Sequence, residues 1–172
     1  MQPQCPVEIT VASEPYTLSL DDVGTDDVPR VGGKSANLGE LTGLDVPVLP
    51  GFTTTTAAYD RFLAASGLEA SIGDALSGLD PDDVSDLQRR GKELRDRFTS
   101  AEMPADLAQA IREQYRQLAT ELGETQPAVA VRSSATAEDL PGASFAGQQE
   151  TFLNVTGEDE LLEAVKGCYA SL

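Results

Sequence analysis

Two glycines stand directly before a lysine and a serine in the segment Gly32-Gly33-Lys34-Ser35. Because glycine has no side chain, backbone N–H groups and the Lys34 ammonium can converge there on an anion, and phosphate is the natural ligand of such a site. The segment is not a Walker motif, since Val28 stands where that motif requires its first glycine. A Gly-Gly-Lys triplet alone is also typical of an ordinary turn, so both interpretations stay open at this point.

A second polar segment begins at Arg132 and contains Ser133, Ser134 and Thr136, followed by the small-residue loop Ala143–Thr151. Arginine can bind phosphate through two parallel hydrogen bonds, and a small loop that contains glycine can close over a ligand. Segments rich in Ser, Ala and Gly are also typical of exposed linkers. Both interpretations therefore stand, although a linker is rarely held between two strands, as this segment is predicted to be.

The charge balance restricts what the chain can bind. It carries 29 Asp and Glu residues against 12 Lys and Arg residues, a formal net charge of -17. Non-specific binding to nucleic acid or to an anionic membrane is excluded, because polyanions are repelled. A phosphate-bearing ligand could bind only where particular cations overcome this field. Lys34 and Arg132 are the cations placed beside glycine-rich and serine-rich segments, so we predict that they form the binding pair. The arginines of the predicted helices are explained by solvated faces and i,i+4 ion pairs.

The cations are also unevenly divided between lysine and arginine. Only Lys34, Lys92 and Lys166 are lysines. An acidic surface that is poor in lysine is typical of a protein that works in concentrated salt. We hypothesise a halophilic source, with a merely acidic protein as the alternative.

The termini and the cysteines indicate a reducing compartment. No apolar run approaches the length of a membrane span, and Met1–Val7 lacks the basic and apolar stretches of a secretion signal, so a cytoplasmic protein is predicted. Cys5 and Cys168 lie far apart and indicate neither a disulfide framework nor a metal cluster. Cys168 is expected to be a small core residue, since the chain has no histidine that could activate it.

Hydrophobic periodicity predicts the elements that position the two polar segments. At 172 residues the chain can form one ordinary domain or a large piece of a bigger one. Tyr16–Leu20 alternates like a strand, Asp21–Arg30 is an acid-rich loop, and a short helix capped by Ser35 runs from the glycine pair to Gly43.

The middle of the chain is predicted to be helical. Apolar residues recur every three or four positions, and caps or glycines separate the helices. The predicted helices are Ala57–Ser66 capped by Thr56, Leu68–Leu79, a helix capped by Asp80 with Val84, Leu87, Leu94 and Phe98 on one face, and a helix from Met103-Pro104 to Gly123 with Leu107, Ile111, Tyr115, Leu118 and Leu122 facing the core.

The last third returns to strands. Ala128–Val131 is a short apolar strand that ends at Arg132, and Thr151–Val155 is a second strand. Glu158–Leu172 has a helical pattern without a terminating Gly, Asn or Pro, which predicts that the polypeptide continues past Leu172. The fold class predicted from these elements is α+β.

Three segments, Val31–Leu41, Pro50–Phe52 and Val129–Pro141, together resemble the phosphoenolpyruvate (PEP)/pyruvate-binding domain of ATP-grasp type. Ala143–Val155 and Cys168–Leu172 are more similar to the PEP synthase branch of that family than to pyruvate phosphate dikinase. The resemblance implies an incomplete ATP-grasp-type nucleotide-binding domain with a mixed sheet and a helical middle segment. Residues 1–172 would be its N-terminal portion, truncated at the C-terminus.

The resemblance also implies a reaction, in which ATP, pyruvate and water give AMP, PEP and phosphate, with the β-phosphoryl group carried on an enzyme histidine and Mg²⁺ bridging phosphates. This chain has no histidine. The phosphoryl acceptor, the metal ligands and the pyruvate-binding barrel of the family would therefore lie outside it, and we expect neither a catalytic residue nor a metal ligand here. The isolated chain is expected to bind ATP weakly or not at all and to lack dikinase activity.

The resemblance assigns ATP contacts to four residues by motif. Lys34 and Arg132 would contact the phosphates, while Gly147 would supply a backbone amide and Thr151 a hydroxyl from a loop over the triphosphate. Lesser candidates are Gln149 and Ser133. The sequence departs from the family in having Ser35 where glycine is usual and Leu49 where a second proline is usual.

Two other functions stay open on sequence alone. One is a fragment of a rifampin phosphotransferase, which shares the ATP-grasp motifs but phosphorylates an antibiotic. The other is a non-catalytic nucleotide-binding fragment. Expected partners are ATP, and pyruvate and PEP in the full-length protein, without nucleic acid or membrane. The sequence does not decide whether the protein forms a homo-oligomer.

Overall fold

The computed structural model describes residues 14–44, 46–136 and 150–172. The helices and strands in these ranges are, in chain order, β1 (Thr17–Ser19), α1 (Val28–Thr42), β2 (Phe52–Thr54), α2 (Thr56–Ser66), α3 (Leu68–Leu76), α4 (Val84–Ser100), α5 (Ala105–Leu122), β3 (Val129–Arg132), β4 (Thr151–Val155) and α6 (Glu158–Ala170). Two short 3-10 turns, Leu20–Asp22 and Thr25–Asp27, connect β1 to α1. The predicted α+β class is confirmed.

The strands form two separate pairs. β1 pairs with β2 and β3 pairs with β4, both antiparallel, and the second ladder has an irregularity between Val129 and Val131. The prediction of a mixed sheet is therefore wrong for the described residues. A parallel pair needs a crossover that returns the chain to the same end of the sheet. The end of β3 is instead paired with the start of β4, Arg132 with Thr151, as in a hairpin.

The main core lies among α2, α4, α5, α6 and the β3–β4 pair. Phe62, Leu107 and Ile111 are completely buried, and the Tyr169 ring lies with its centroid 5.5 Å from that of Phe62. The predicted stripe of α5 is buried except at its last member, Leu122, which lies at the exposed helix end. Burial of such side chains supplies most of the free energy that holds the helices together.

The predicted face of α4 is confirmed only at its C-terminal end. Phe98 is buried, whereas Val84 and Leu87 are 61% and 39% exposed. The last turn of α4 is held by Lys166 of α6, whose ammonium donates to Thr99 O at 3.0 Å. The first turns of α4 lie beyond this contact, beside the short helix α3, so their apolar side chains stay in solvent.

Three predicted helix caps are displaced. The helix assigned to a Ser35 cap begins earlier, at Val28, and Ser35 lies inside it. Thr55 rather than Thr56 caps α2, accepting from Ala58 N–H. Asp83 rather than Asp80 caps α4, because Asp80 instead accepts from Asp82 N–H and closes the preceding turn. In α2 and α4 a polar side chain one to three residues away satisfies the same type of backbone group, which periodicity cannot distinguish.

A smaller apolar cluster packs α1 against the 3-10 turns. Leu20, Val23, Val31 and Ala36 are buried in it. The buried Gly39 makes the contact close, since a Cβ atom there would lie 2.2 Å from Val23 O and 2.7 Å from Leu20 O. This packing fixes the position of α1 and of the lysine on it.

Ion pairs cover the helical surface. The predicted i,i+4 pairs are present in α4, where Arg89 contacts Glu93 and Arg90 contacts Asp86. Arg116 of α5 instead reaches α6, where its guanidinium donates to both carboxylate oxygens of Glu158 at 2.7 and 2.8 Å. These hydrogen bonds hold the pKa of Glu158 below its usual range.

The prediction for Cys168 is confirmed, because its side chain is 5% exposed and belongs to the interior. Burial raises the pKa of this thiol to about 12, which keeps it protonated and unreactive near neutral pH. Cys5 lies outside the described residues. Across the described ranges, the helices are all too short or too polar to cross a membrane.

Candidate functional site

The glycine pair makes a sharp change of direction at the start of α1. Gly32 has φ 77° and ψ 165°, so the helical turn that begins at Val28 is interrupted there and the helix resumes with Gly33 and Lys34. A residue with a Cβ atom is strained at this φ. A Cβ on Gly32 would also lie 2.4 Å from Ser134 Oγ. The glycine therefore allows the second polar segment to lie directly against the first.

Hydrogen bonds between described residues join the two polar segments. Gly33 N–H donates to Ala135 O at 3.1 Å, Ser35 N–H to Ser134 Oγ at 3.2 Å, and the Lys34 ammonium to Ser133 O at 3.3 Å. The last two bonds each link residues that are 99 positions apart in the chain. The structure thus brings together the two segments that sequence analysis singled out.

These bonds also correct one detail of the predicted site. The sequence predicted that backbone N–H groups after Gly32 bind a phosphate. Those of Gly33 and Ser35 donate to residues 135 and 134 of the protein itself. The groups that remain suited to a phosphate are therefore side chains, above all the cations of Lys34 and Arg132.

Arg132 and Thr151 are direct cross-strand partners in the β3–β4 ladder. Side chains of directly opposed residues project from the same face of an antiparallel pair, with their Cβ atoms about 5 Å apart. Both residues are exposed. A guanidinium and a hydroxyl therefore share one solvent-facing surface, as a phosphate ligand requires.

Ser133 and Ser134 follow Arg132 but lie on the inner side. Ser133 is 3% exposed, and its N–H donates to Glu150 O at 3.4 Å, which extends the contact between the two chain segments beyond the ladder. The position of Ser133 therefore differs from that of a surface ligand. Gly147 and Gln149 lie outside the described residues.

A buried pair of hydroxyl groups supports α1 from the first sheet. Thr53 of β2 donates to Ser35 Oγ at 2.9 Å, and their exposed fractions are 8% and 9%. A glycine at position 35 could not make this bond. The Thr53–Ser35 bond holds the residue after Lys34 against the β1–β2 pair.

Sequence reasoning missed the contributions of Thr53 and Ser134. Side chains alternate between the two faces of a strand, so the pattern of β2 could have indicated that Thr53 faces inward. Nothing in the local sequence indicates that Ser134 contacts Gly32, since that contact depends on how distant segments pack.

Arg132 and Thr151 of the candidate site are exposed to solvent. A cavity of about 570 Å³ lies elsewhere, beside α6, and is lined in part by Arg112, Phe152 and Leu162. In residues 14–44, 46–136 and 150–172, no group of three or more His, Cys, Asp or Glu residues is placed to hold a metal ion. The described residues offer cations and hydroxyl groups, which suit the phosphates of a nucleotide.

Comparison with known proteins agrees with this geometry. The family model described as pyruvate phosphate dikinase, AMP/ATP-binding domain, matches residues 28–172. The chain belongs to this domain family. The match includes both polar segments and all the described helices from α1 onward. It confirms the resemblance found from the motifs around Lys34 and Arg132.

Curated relatives of this AMP/ATP-binding domain are named PEP synthases. The chain is 48% identical over 157 residues to a probable PEP synthase of Methanothermobacter thermautotrophicus, covering 91% of the chain and 23% of the relative. It is 52% identical over 161 residues to the PEP synthase of Pseudomonas aeruginosa, covering 91% of the chain and 20% of the relative. It is 48% identical over 164 residues to the PEP synthase of Escherichia coli, covering 93% of the chain and 20% of the relative. The chain thus spans about a fifth of the length of these relatives.

Proposed function

We propose that this chain is the ATP-binding portion of a PEP synthase, which converts ATP, pyruvate and water to AMP, PEP and phosphate. The observation that carries the proposal is the set of hydrogen bonds that places Lys34 beside the residue after Arg132, across 99 positions of sequence. In a chain of net charge -17, a lysine bonded to the residue that follows an arginine would give a local positive site for a triphosphate. The PEP synthase relatives supply the reaction.

In this proposal each residue of the site has a separate role. Lys34 and Arg132 bind phosphate oxygens, Thr151 donates its hydroxyl from the same face as Arg132, and Gly147 contributes a backbone amide. The phosphoryl group leaves for a histidine outside this chain, which itself contains none. Residues 1–172 would form the N-terminal portion of an ATP-grasp domain in a cytoplasmic enzyme.

Mg²⁺ would screen the triphosphate charge in such an enzyme. The described residues do not fit a magnesium site on their own, because they contain no cluster of three or more side chains placed to hold a metal ion. The chain's own part is to bind and orient the phosphates through Lys34 and Arg132.

The proposal is tested by product analysis with the full-length protein. Incubation with ATP, pyruvate and Mg²⁺ should yield AMP, PEP and phosphate in equal amounts. Omission of pyruvate should prevent net PEP formation. Formation of ADP in place of AMP, or consumption of ATP with rifampin as acceptor and no PEP from pyruvate, would contradict the assignment.

We also propose that the protein is adapted to concentrated salt. Of the three lysines, Lys166 is buried and Lys34 lies in the candidate site, which leaves Lys92, with a side chain 72% exposed, as the lysine that is open to solvent. The described surface is consequently dominated by carboxylates and arginine. At a net charge of -17, self-repulsion opposes the folded state and is reduced when salt screens it.

The thermal midpoint Tm of this chain should therefore rise between low and molar KCl, by about 5 °C, or roughly 2 kcal/mol for a domain of this size. Surface ion pairs such as Arg116–Glu158 are weakened by salt, but each contributes little. Potassium chloride is preferred to sulfate, because sulfate strengthens apolar burial in any protein. A Tm that is constant or falls with KCl would contradict the proposal.

A further inference from the structure

The hydroxyl of Ser134 lies at the centre of the contact between the two polar segments. It accepts a hydrogen bond from Ser35 N–H at 3.2 Å. It also lies against the bare Cα of Gly32, where an added Cβ would come within 2.4 Å of Ser134 Oγ and 2.6 Å of Ser134 O. The hydroxyl is thus held both by a hydrogen bond and by steric contact.

Among the three bonds described above between the two segments, this bond differs in having a side-chain acceptor. Gly33 N–H and the Lys34 ammonium donate to backbone carbonyls, of Ala135 and Ser133 respectively. Any residue provides such a carbonyl, whereas the bond from Ser35 N–H ends on a serine hydroxyl. Residue 134 therefore needs a side-chain acceptor to make this bond.

Along the chain, the bond lies one residue from Lys34 and two residues from Arg132. Ser35 follows Lys34 directly, and Ser133 alone separates Ser134 from Arg132. Two positive side chains repel each other, so both approach the same phosphate chain only if the backbone holds them there. Groups that are fixed before binding lose less conformational entropy when the ligand arrives.

We propose that Ser134 is a positioning residue, whose hydroxyl sets the Lys34 ammonium relative to the Arg132 guanidinium so that both bind one triphosphate. This inference deepens the proposed function and rests on its assignment of ATP to this site. Ser134 acts through Lys34 and Arg132 and need not touch the nucleotide itself.

The test measures ATP binding and steady-state kinetics of the full-length protein carrying Ser134→Ala. The variant keeps the Cβ atom and removes the acceptor for Ser35 N–H. We expect the Kd and the KM for ATP to rise about tenfold, with kcat changed less than twofold and the KM for pyruvate unchanged. A rise in KM at constant kcat is the signature of lost binding that is equal in the ground and transition states.

A matched control removes a buried hydroxyl that bonds to Pro15 rather than to either polar segment. Thr55 is 2% exposed, donates to Pro15 O at 2.7 Å and caps α2. Thr55→Ala should lower Tm as Ser134→Ala does, but should leave the KM for ATP at its wild-type value. If both variants raise that KM equally, the effect is a general loss of stability and the positioning role is wrong.

A double-mutant cycle with Lys34→Ala separates positioning from direct contact. If Ser134 acts through Lys34, Ser134→Ala should weaken ATP binding less than twofold in the Lys34→Ala background. An undiminished tenfold loss in that background would show that Ser134 acts independently of Lys34 and would overturn the proposal.

The outcomes distinguish this inference from the proposed function. A wild-type protein that binds ATP but forms no AMP from ATP and pyruvate would contradict the PEP synthase assignment, while the Kd values still test Ser134. An active wild-type protein whose Ser134→Ala variant has an unchanged Kd for ATP would overturn the positioning role alone.

Discussion

Replacing Arg132 with alanine should slow the ATP half-reaction of the full-length protein by about a hundredfold or more. One well-placed donor to developing negative charge is typically worth a factor of 10²–10³ in rate. Arg132 is exposed at the end of β3, so its removal should leave the fold intact. Lys34→Ala should have a similar effect, together with loss of the hydrogen bond to Ser133 O.

The measurement compares two partial reactions. Phosphorylation of the enzyme from ATP should be lost, whereas exchange of label between pyruvate and PEP should persist, because pyruvate chemistry would take place outside this chain. Arg95→Ala is the matched control, since it removes an exposed arginine from the surface of α4. Loss of both partial reactions in a folded Arg132→Ala protein would contradict the role assigned to this residue. Full activity of that variant would contradict it as well.

The second large effect is expected at Gly39, in the middle of α1. An alanine there would place Cβ 2.2 Å from Val23 O and 2.7 Å from Leu20 O, so the backbone of the 3-10 turns would have to move. Overpacking of this kind costs about 3 kcal/mol. The Gly39→Ala variant should therefore unfold at a lower temperature, with Tm reduced by roughly 6–12 °C for a domain of this size.

Gly43→Ala provides the control on the same helix. At Gly43 an added Cβ would have Glu40 O as its nearest neighbour, at an ordinary 3.5 Å, and φ is -70°. Alanine also restricts the unfolded chain, so we expect the free energy of unfolding to be unchanged or higher by up to about 1 kcal/mol. Equal Tm values for Gly39→Ala and Gly43→Ala would show that the packing of α1 against the turns is not tight.

Most of the elements could be predicted from the sequence because their signals are local. The stripe of α5 is an example, with Leu107, Ile111 and Tyr115 at helical spacing and buried in the structure. Strand pairing could not be predicted, because the direction and partner of β4 depend on the path of the whole chain. The exposed Val84 is a similar case, since its apolar character indicates a core-facing position but its surroundings leave it in solvent.

The candidate site was predictable in its cations but not in its construction. Lys34 and Arg132 stand out as basic residues beside small, polar segments in an acidic chain. Gly32 has a positive φ and lies against Ser134, and Ser35 is held by Thr53. Both features result from packing between segments that are distant in sequence. Physical reasoning on single segments has no access to such contacts.

The 99-residue separation between Lys34 and Ser133 has a consequence for synthesis of the protein. At typical translation rates, about 5–20 s pass between the appearance of the first residue and that of the second. During that interval α1 can form, but the glycine turn has no partner against which to close. The candidate site would therefore be absent from every nascent chain that ends before Ser133, and a growing polypeptide would acquire it only after that residue is added.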